Sequence, residues 1–256
     1  MRKQMMRVLL ALCMPMMLAG CSGKAEPEET VTPEPTEPAA ETTETAAPEP
    51  TAEPAPVLLY QGHASLRITD SEGHVIYIDP YAGEGYDEAA DLILVTHDHY
   101  DHNAVEKVAS RKESCAVITA ADALQSGAYQ TYDLGYVQIE AVMAYNGNHS
   151  AQECVGYVLT LANGAVVYVS GDTSTTEQMA ELADRHIDYA FFCCDGVYNM
   201  DAAEASRCAE AVQAVHSIPY HTAPAEQGFS QTAADQFQAD GKLILKPGEE
   251  LELVTN

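Results

Sequence analysis

From residue 57 onward the sequence predicts an α/β fold in which stacked β-sheets are covered by helices. Three observations carry that expectation. Short apolar runs of strand length recur through the first half of the region. Two of them flank Asn163-Gly164, a dipeptide favoured in tight hairpin turns. Helical patterns fall between and after the strands, as expected when helices lie over sheets.

The strand-like runs span residues 57–60, 65–69, 75–78, 92–96, 116–119, 137–144, 155–161 and 166–170. Most are rich in Val, Ile, Leu and Tyr, which suit a pleated, buried surface. A helical pattern covers residues 176–186, and a second covers 202–215 behind Asp201, a residue type suited to an N-cap. Five cysteines remain in this region: Cys115, Cys154, Cys193, Cys194 and Cys208. Their odd number and lack of C-x-x-C spacing favour buried free thiols, with one disulfide open in an exported protein.

Two segments precede the predicted fold. Residues 1–21 read as an export signal: Arg2, Lys3 and Arg7, then an apolar run at 8–18, then small residues. The run is shorter than the roughly 20 residues that cross a bilayer. Its ending, Leu18-Ala19-Gly20-Cys21, resembles a bacterial lipobox, which implies lipidation of Cys21 and a place on the outer face of the cytoplasmic membrane. Residues 22–56 carry nine Glu and eight Pro with scarcely a large apolar side chain. Such a tract cannot offset its ordering entropy and should form a stretched, disordered tether, about 110 Å long at ~3.1 Å per residue.

Charge narrows the partners. The chain has a formal net charge of -27, and the region from Val57 on holds thirty acidic and eight basic residues. Nucleic-acid binders concentrate Lys and Arg to displace counterions, so nucleic acid is excluded as a partner and a small molecule is expected. The balance does not bear on oligomeric state.

The chemistry gathers in Thr96-His97-Asp98-His99-Tyr100-Asp101-His102, directly after the apolar run Leu92-Ile93-Leu94-Val95. A buried strand thus delivers three His and two Asp into the loop at its C-terminal end. In extended chain His97 and His99 point to one side. Asp101 and His102 follow after a turn and can face a second metal ion.

His97-x-His99-x-Asp101-His102 resembles the signature of the metallo-β-lactamase superfamily. The superfamily's other elements follow in order at His149, Asp172 and His221, with Asp79 matching its early Asp. Gly62-His63-Ala64-Ser65, Ala144-Tyr145-Asn146 and Gly196-Val197-Tyr198-Asn199-Met200 are similar to the branch containing ascorbate-6-phosphate lactonase. Asp195 departs from it, standing where much of that branch has Gly. The resemblance covers residues 57–256 and implies a four-layer αββα sandwich. It implies two divalent ions, zinc first with manganese or iron(II) as alternatives. His97, His99 and His149 would hold one ion, Asp101, His102 and His221 the other, and Asp172 would bridge them. A hydroxide between the ions would attack a carbonyl or phosphoryl ester, whether lactone, ester or phosphodiester.

Supporting roles follow. Asp79 and Thr96 are expected to orient ligands by hydrogen bonds. Asn146, Asp195 and Tyr198 are candidates for the substrate pocket. His63 is a candidate proton donor to the leaving group. His74, His186 and His216 do not fit the ligand order and read as structural. The competing class is a surface lipoprotein that captures a metal or ligand without turnover.

Overall fold

The computed structural model describes residues 54–256. The expected export signal, Cys21 and the tether up to residue 53 lie outside the described residues. Pro56, at the end of the expected tether, is already buried, and its carbonyl accepts from the Leu253 amide at 2.7 Å.

The chain opens with β1 (Val57–Gly62), β2 (Ser65–Thr69), β3 (Val75–Ile78), β4 (Ala90–Leu94) and β5 (Arg111–Ile118). The first three run antiparallel, and β4 and β5 add in parallel. A short helix α1 (Ala120–Ala123) and a minor hairpin of β6 (Leu124–Gln125) and β7 (Ala128–Tyr129) lead to the second sheet. There β8 (Thr131–Asp133), β9 (Val137–Met143), β10 (Val155–Leu161) and β11 (Val166–Val169) run antiparallel, and β12 (Tyr189–Cys193) and β13 (His216–Tyr220) add in parallel. Helix α2 (Ala202–Val212) joins β12 to β13. After α3 (Gln231–Gln236), β14 (Glu250–Glu252) returns to pair with β1. Each sheet has six strands and the same plan, a meander extended by two parallel strands.

Burial on both faces explains the near-continuous apolar strands. Along β3 and β4, Ile76, Ile78, Leu92 and Leu94 enter the core shared with the second sheet, while Val75, Tyr77 and Ile93 pack in a smaller outer cluster with Val108. The predicted αββα sandwich is the observed fold, with unequal outer layers. The second sheet is covered by α2, which lies against β12. The outer cluster on the first sheet takes Val105 and Val108 from a 3-10 turn (Val105–Lys107) and its end, with no long helix. Among the described residues no helix is long and apolar enough to cross a membrane.

Four elements differ from expectation for local reasons. Residues 176–186 hold a 3-10 helix over Met179–Arg185. Its buried residues, Met179 and Leu182, are three apart, the repeat of a 3-10 turn. Helix α2 has the expected cap, with the Asp201 carboxylate accepting from Glu204 N at 2.7 Å, but stops at Val212 because Gln213 takes a left-handed conformation. Strands β12 and β13 follow runs that lack strand alternation; β13 contains Pro219, tolerated because β13 lies at the sheet edge. The five cysteines among the described residues are free thiols, Cys115 partly exposed and the rest buried. His74 bonds Asp70, His186 ends the 3-10 helix, and His216 stacks on Tyr189.

The sheets meet at one end. Val155 N donates to Thr96 O at 3.0 Å, and the Tyr157 hydroxyl donates to Val95 O at 3.0 Å. Gly171 sits in this seam with φ +61°, where an added Cβ would lie 2.5 Å from Val155 O. Gly171→Ala should therefore cost about 2 kcal/mol or more. For a domain of this size that is a fall in Tm of about 4–8 °C in a circular-dichroism melt.

Candidate metal centre

The chemistry-bearing residues collect at the C-terminal ends of strands, where open α/β sheets place ligands. His63 follows β1, Asp79 follows β3, the Thr96–His102 stretch follows β4, and Asn146 and His149 follow β9. Asp172, Asp195 and His221 follow β11, β12 and β13. Three of these residues adopt positive φ: His63 at 49°, Asp79 at 46° and His221 at 43°. Such conformations persist only where the surroundings over-determine them, and each turns a side chain off its strand toward the cluster. The His221 amide closes the cleft by donating to His63 O at 2.8 Å.

Three overlapping groups of side chains form, one of them His97, His102 and Asp172. His97, His99 and His149 bring their ligand atoms within 4.8 Å of one another, as do His63, Asp101, His102 and His221. Asp172 lies between them. Its Oδ2 is 3.4 Å from His149 Nε2, 3.6 Å from His102 Nε2 and 3.3 Å from His221 Nε2. All seven residues implied as ligands thus share one cleft.

A chain of hydrogen bonds sets the ring orientations. The Thr96 hydroxyl donates to Asp79 Oδ2 at 2.7 Å, so it accepts from His97 Nδ1 at 3.0 Å. His102 Nδ1 donates to the same Asp79 oxygen at 2.9 Å, and Thr96 N binds the other at 2.8 Å. Both imidazoles therefore turn Nε2 toward the cleft, where His97 Nε2, His102 Nε2 and Asp172 Oδ1 are buried without a hydrogen-bond partner. Buried polar atoms without partners are costly. Divalent cations would satisfy them, and imidazole with carboxylate suits zinc, manganese or iron(II). The residues fit the metal that the fold implies.

The electrostatics agree. Burial, with neighbouring His102, pushes the His97 pKa down to about 2, and burial also lowers His149. Burial alone would lower His102, but the carboxylates of Asp172 and Asp79 outweigh it and raise its pKa to about 9. His221 is raised in the same way by Asp172. Burial opposes ionisation of Asp101, yet its hydrogen bond with His63 and the charge of His102 hold the carboxyl down at about 2.

Several residues stand elsewhere than expected. Asn146 does not offer its amide to a substrate: its Oδ1 accepts from His149 Nδ1 at 2.9 Å, and its Nδ2 donates to Asn199 Oδ1 at 2.8 Å. The amide is consumed in holding His149. Asp195 is likewise turned inward. Its Oδ1 accepts from the amides of Val197 and Tyr198, and its Oδ2 lies 3.4 Å from His221 Nδ1. His63 is fully buried, with Nε2 3.2 Å from Asp101 Oδ2 and its ring centroid 3.8 Å from that of His221. It lines neither cavity beside the cluster, although its ligand atom lies within 4.8 Å of those of Asp101, His102 and His221. Tyr198 does line a cavity.

Asn199 is the residue that sequence reasoning missed. Its Nδ2 donates to Asp172 Oδ2 and Asp195 Oδ2, both at 2.8 Å, and so links the His149 and His221 supports through the central carboxylate. It lies within the branch-like stretch around Tyr198, but no local spacing marks its role. Two cavities open on the cluster. One of about 320 Å³ is bounded by Tyr100, Asp101, Asp172, Tyr198 and Glu226. The other, of about 460 Å³, lies beyond His99 and His149 toward Asp98 and Glu153.

Paired sheets with a His/Asp cluster at their joined ends define a metal-dependent hydrolase of the metallo-β-lactamase fold. Residues 57–221 match the family model for the Beta-lactamase superfamily domain, and the chain belongs to that superfamily. It is 30% identical over 229 residues to a UPF0173 metal-dependent hydrolase of Nitratidesulfovibrio vulgaris, covering 77% of this chain and 95% of that one. Identity to a UPF0173 metal-dependent hydrolase of Pyrococcus furiosus is 29% over 226 residues, covering 76% and 98%. A crystal structure designated a metal-dependent hydrolase, from Parabacteroides distasonis, superposes with a TM-score of 0.59 at 26% identity over 74% of this chain and 92% of that one. The metallo-beta-lactamase fold protein YhfI of Bacillus subtilis shares the fold, with a TM-score of 0.58 at 13% identity over 77% and 99%.

Two outcomes follow from this geometry. Asn199→Ala should weaken metal binding about 10- to 100-fold, the usual cost of losing a partner of a metal ligand, in competition with a chromophoric chelator. At pH 7 the metal-free protein holds His102 protonated, whereas a ligand must be neutral. Metal addition in weak buffer at pH 7 should therefore release protons, and apparent affinity should climb with pH until it levels near the His102 pKa of about 9.

Proposed function

We propose that the chain is a membrane-tethered, extracytoplasmic hydrolase that uses two divalent ions, zinc in the first instance, to cut an ester, lactone or phosphodiester bond in a small molecule. The observation that carries this reading is the Asp172 carboxylate, whose Oδ2 lies within 3.6 Å of imidazole nitrogens from both groups. One ion would be held by His97, His99 and His149, the other by Asp101, His102 and His221, with Asp172 between them. His63 stands close enough to the second group to count among its possible holders. When bound, such a pair lowers the pKa of water to near neutrality and polarises the oxygen of the bond under attack.

The chain's own residues prepare the site. The Asp79–Thr96 pair fixes His97 and His102. Asn146 and Asn199 fix His149 and Asp172. Asp101 lines the cavity as an ionised carboxylate suited to holding an ion, and His63 fixes its Oδ2. The likeness of the stretches around His63 and Tyr198 to the ascorbate-6-phosphate lactonase branch supports a cyclic or simple ester. The tether rests on Leu18-Ala19-Gly20-Cys21 and the Pro/Glu tract, and the acidic balance disfavours polyanionic substrates.

The test is a panel of lactones, esters and phosphodiesters assayed on metal-loaded protein. Wild type should turn over at least one member and lose that activity on chelation. Asp101→Ala should fold normally and lower kcat by roughly 100-fold or more, since even outer partners of metal ligands cost 10–100-fold. Equal turnover by the two proteins would overturn the reading.

A further inference from the structure

The mouth of the 320 Å³ cavity has a composition that the hydrolytic reading does not use. Tyr100 and Tyr198 line it and are themselves 68% and 53% exposed. Glu226 lines the same cavity. The Tyr100 hydroxyl donates to Glu226 Oε1 at 3.2 Å, which holds the carboxylate at the rim, and Glu226 makes no ion pair among the described residues. Tyr198 is anchored from below, its carbonyl accepting from Asn148 Nδ2 at 2.8 Å and from Asn146 Nδ2 at 3.1 Å. At the cavity floor is Asp172, 3% exposed, with Oδ1 unpartnered.

Among the described residues no Lys or Arg lines either cavity beside the cluster. Basic side chains are committed elsewhere: Lys107 to the carbonyls of Tyr81 and Gly83, Lys112 to Asp91, and Arg185 to Glu140. Anionic groups such as phosphate would meet Glu226 at the mouth with no Lys or Arg in the lining to offset it. An uncharged apolar group would strip water from that carboxylate without replacing it. A cation meets two tyrosine side chains and an unneutralised carboxylate in one lining, the combination of groups that recognises ammonium.

Building on the hydrolase reading of the adjoining cluster, we infer that the substrate carries an amine or quaternary ammonium group seated among Tyr100, Tyr198 and Glu226, with the bond to be cut directed toward Asp101 and Asp172.

Binding and turnover test this separately. Choline and its uncharged carbon isostere, 3,3-dimethylbutanol, are titrated by calorimetry into the full chain, both metal-free and metal-loaded, with inorganic phosphate as the anionic probe. Choline should bind roughly threefold to tenfold more tightly than the isostere. Glu226→Gln should remove most of that preference with metal content unchanged, and Tyr198→Leu should reduce it. Equal affinity for choline and the isostere, a preference that survives in Glu226→Gln, or tighter binding of phosphate to the metal-free protein would each overturn the inference. The metal-loaded protein is then assayed on acetylthiocholine and 3,3-dimethylbutyl thioacetate, where the charged ester should be favoured by a similar factor. If choline is preferred but neither ester is cut, the cation site stands and the ester reading falls. If both are cut equally, the cation site falls and the ester reading stands.

Discussion

One carboxylate governs this structure. Asp172 is buried among three imidazoles, and burial by itself would drive it toward the neutral acid. The charges of His221 and His102 reverse that and hold its pKa well below the ordinary carboxylate range. Asn199 fixes one oxygen, and the other has no partner. An anion kept in a low-dielectric cleft with an open lone pair is suited to grip a cation. The surrounding hydrogen bonds make sense as the means of keeping that anion, and the rings facing it, from reorienting.

The backbone is arranged to the same end. Each sheet contributes parallel strands whose C-terminal ends point at the cleft, and the sheets are tied together there through Thr96, Val155 and Gly171. His63, Asp79 and His221 hold left-handed conformations directly after their strands. A strand continued regularly would carry each side chain onward along the sheet; the left-handed residue breaks the pleat and turns it inward. The apolar core between the sheets supplies the rigidity that maintains these conformations.

Support for the cluster comes from two independent hydrogen-bond chains. One runs from His97 through Thr96 and Asp79 to His102 and belongs to the first sheet. The other runs from His149 through Asn146 and Asn199 to Asp172 and Asp195 and belongs to the second. Neither chain contains a Lys or Arg. Amides, a hydroxyl and a carboxylate orient the rings without adding positive charge, which would oppose cation binding.

The sequence by itself determined the parts whose causes are local. His97, His99, Asp101 and His102 fall within six positions at the end of an apolar strand, so backbone periodicity nearly brings them together. The hairpin at Asn163-Gly164 and the Asp201 cap are likewise set by side chains acting on adjacent backbone. His149, Asp172 and His221 were legible through resemblance, since no spacing rule connects positions so far apart. Only the tertiary structure decided that Asn146 and Asp195 face inward, that His63 lies behind Asp101, and that Asn199 joins the second support chain. Those roles depend on partners brought together by the docking of two sheets. An Asn or His side chain offers the same donors and acceptors whether it meets a substrate or another residue, and burial and distance choose between them.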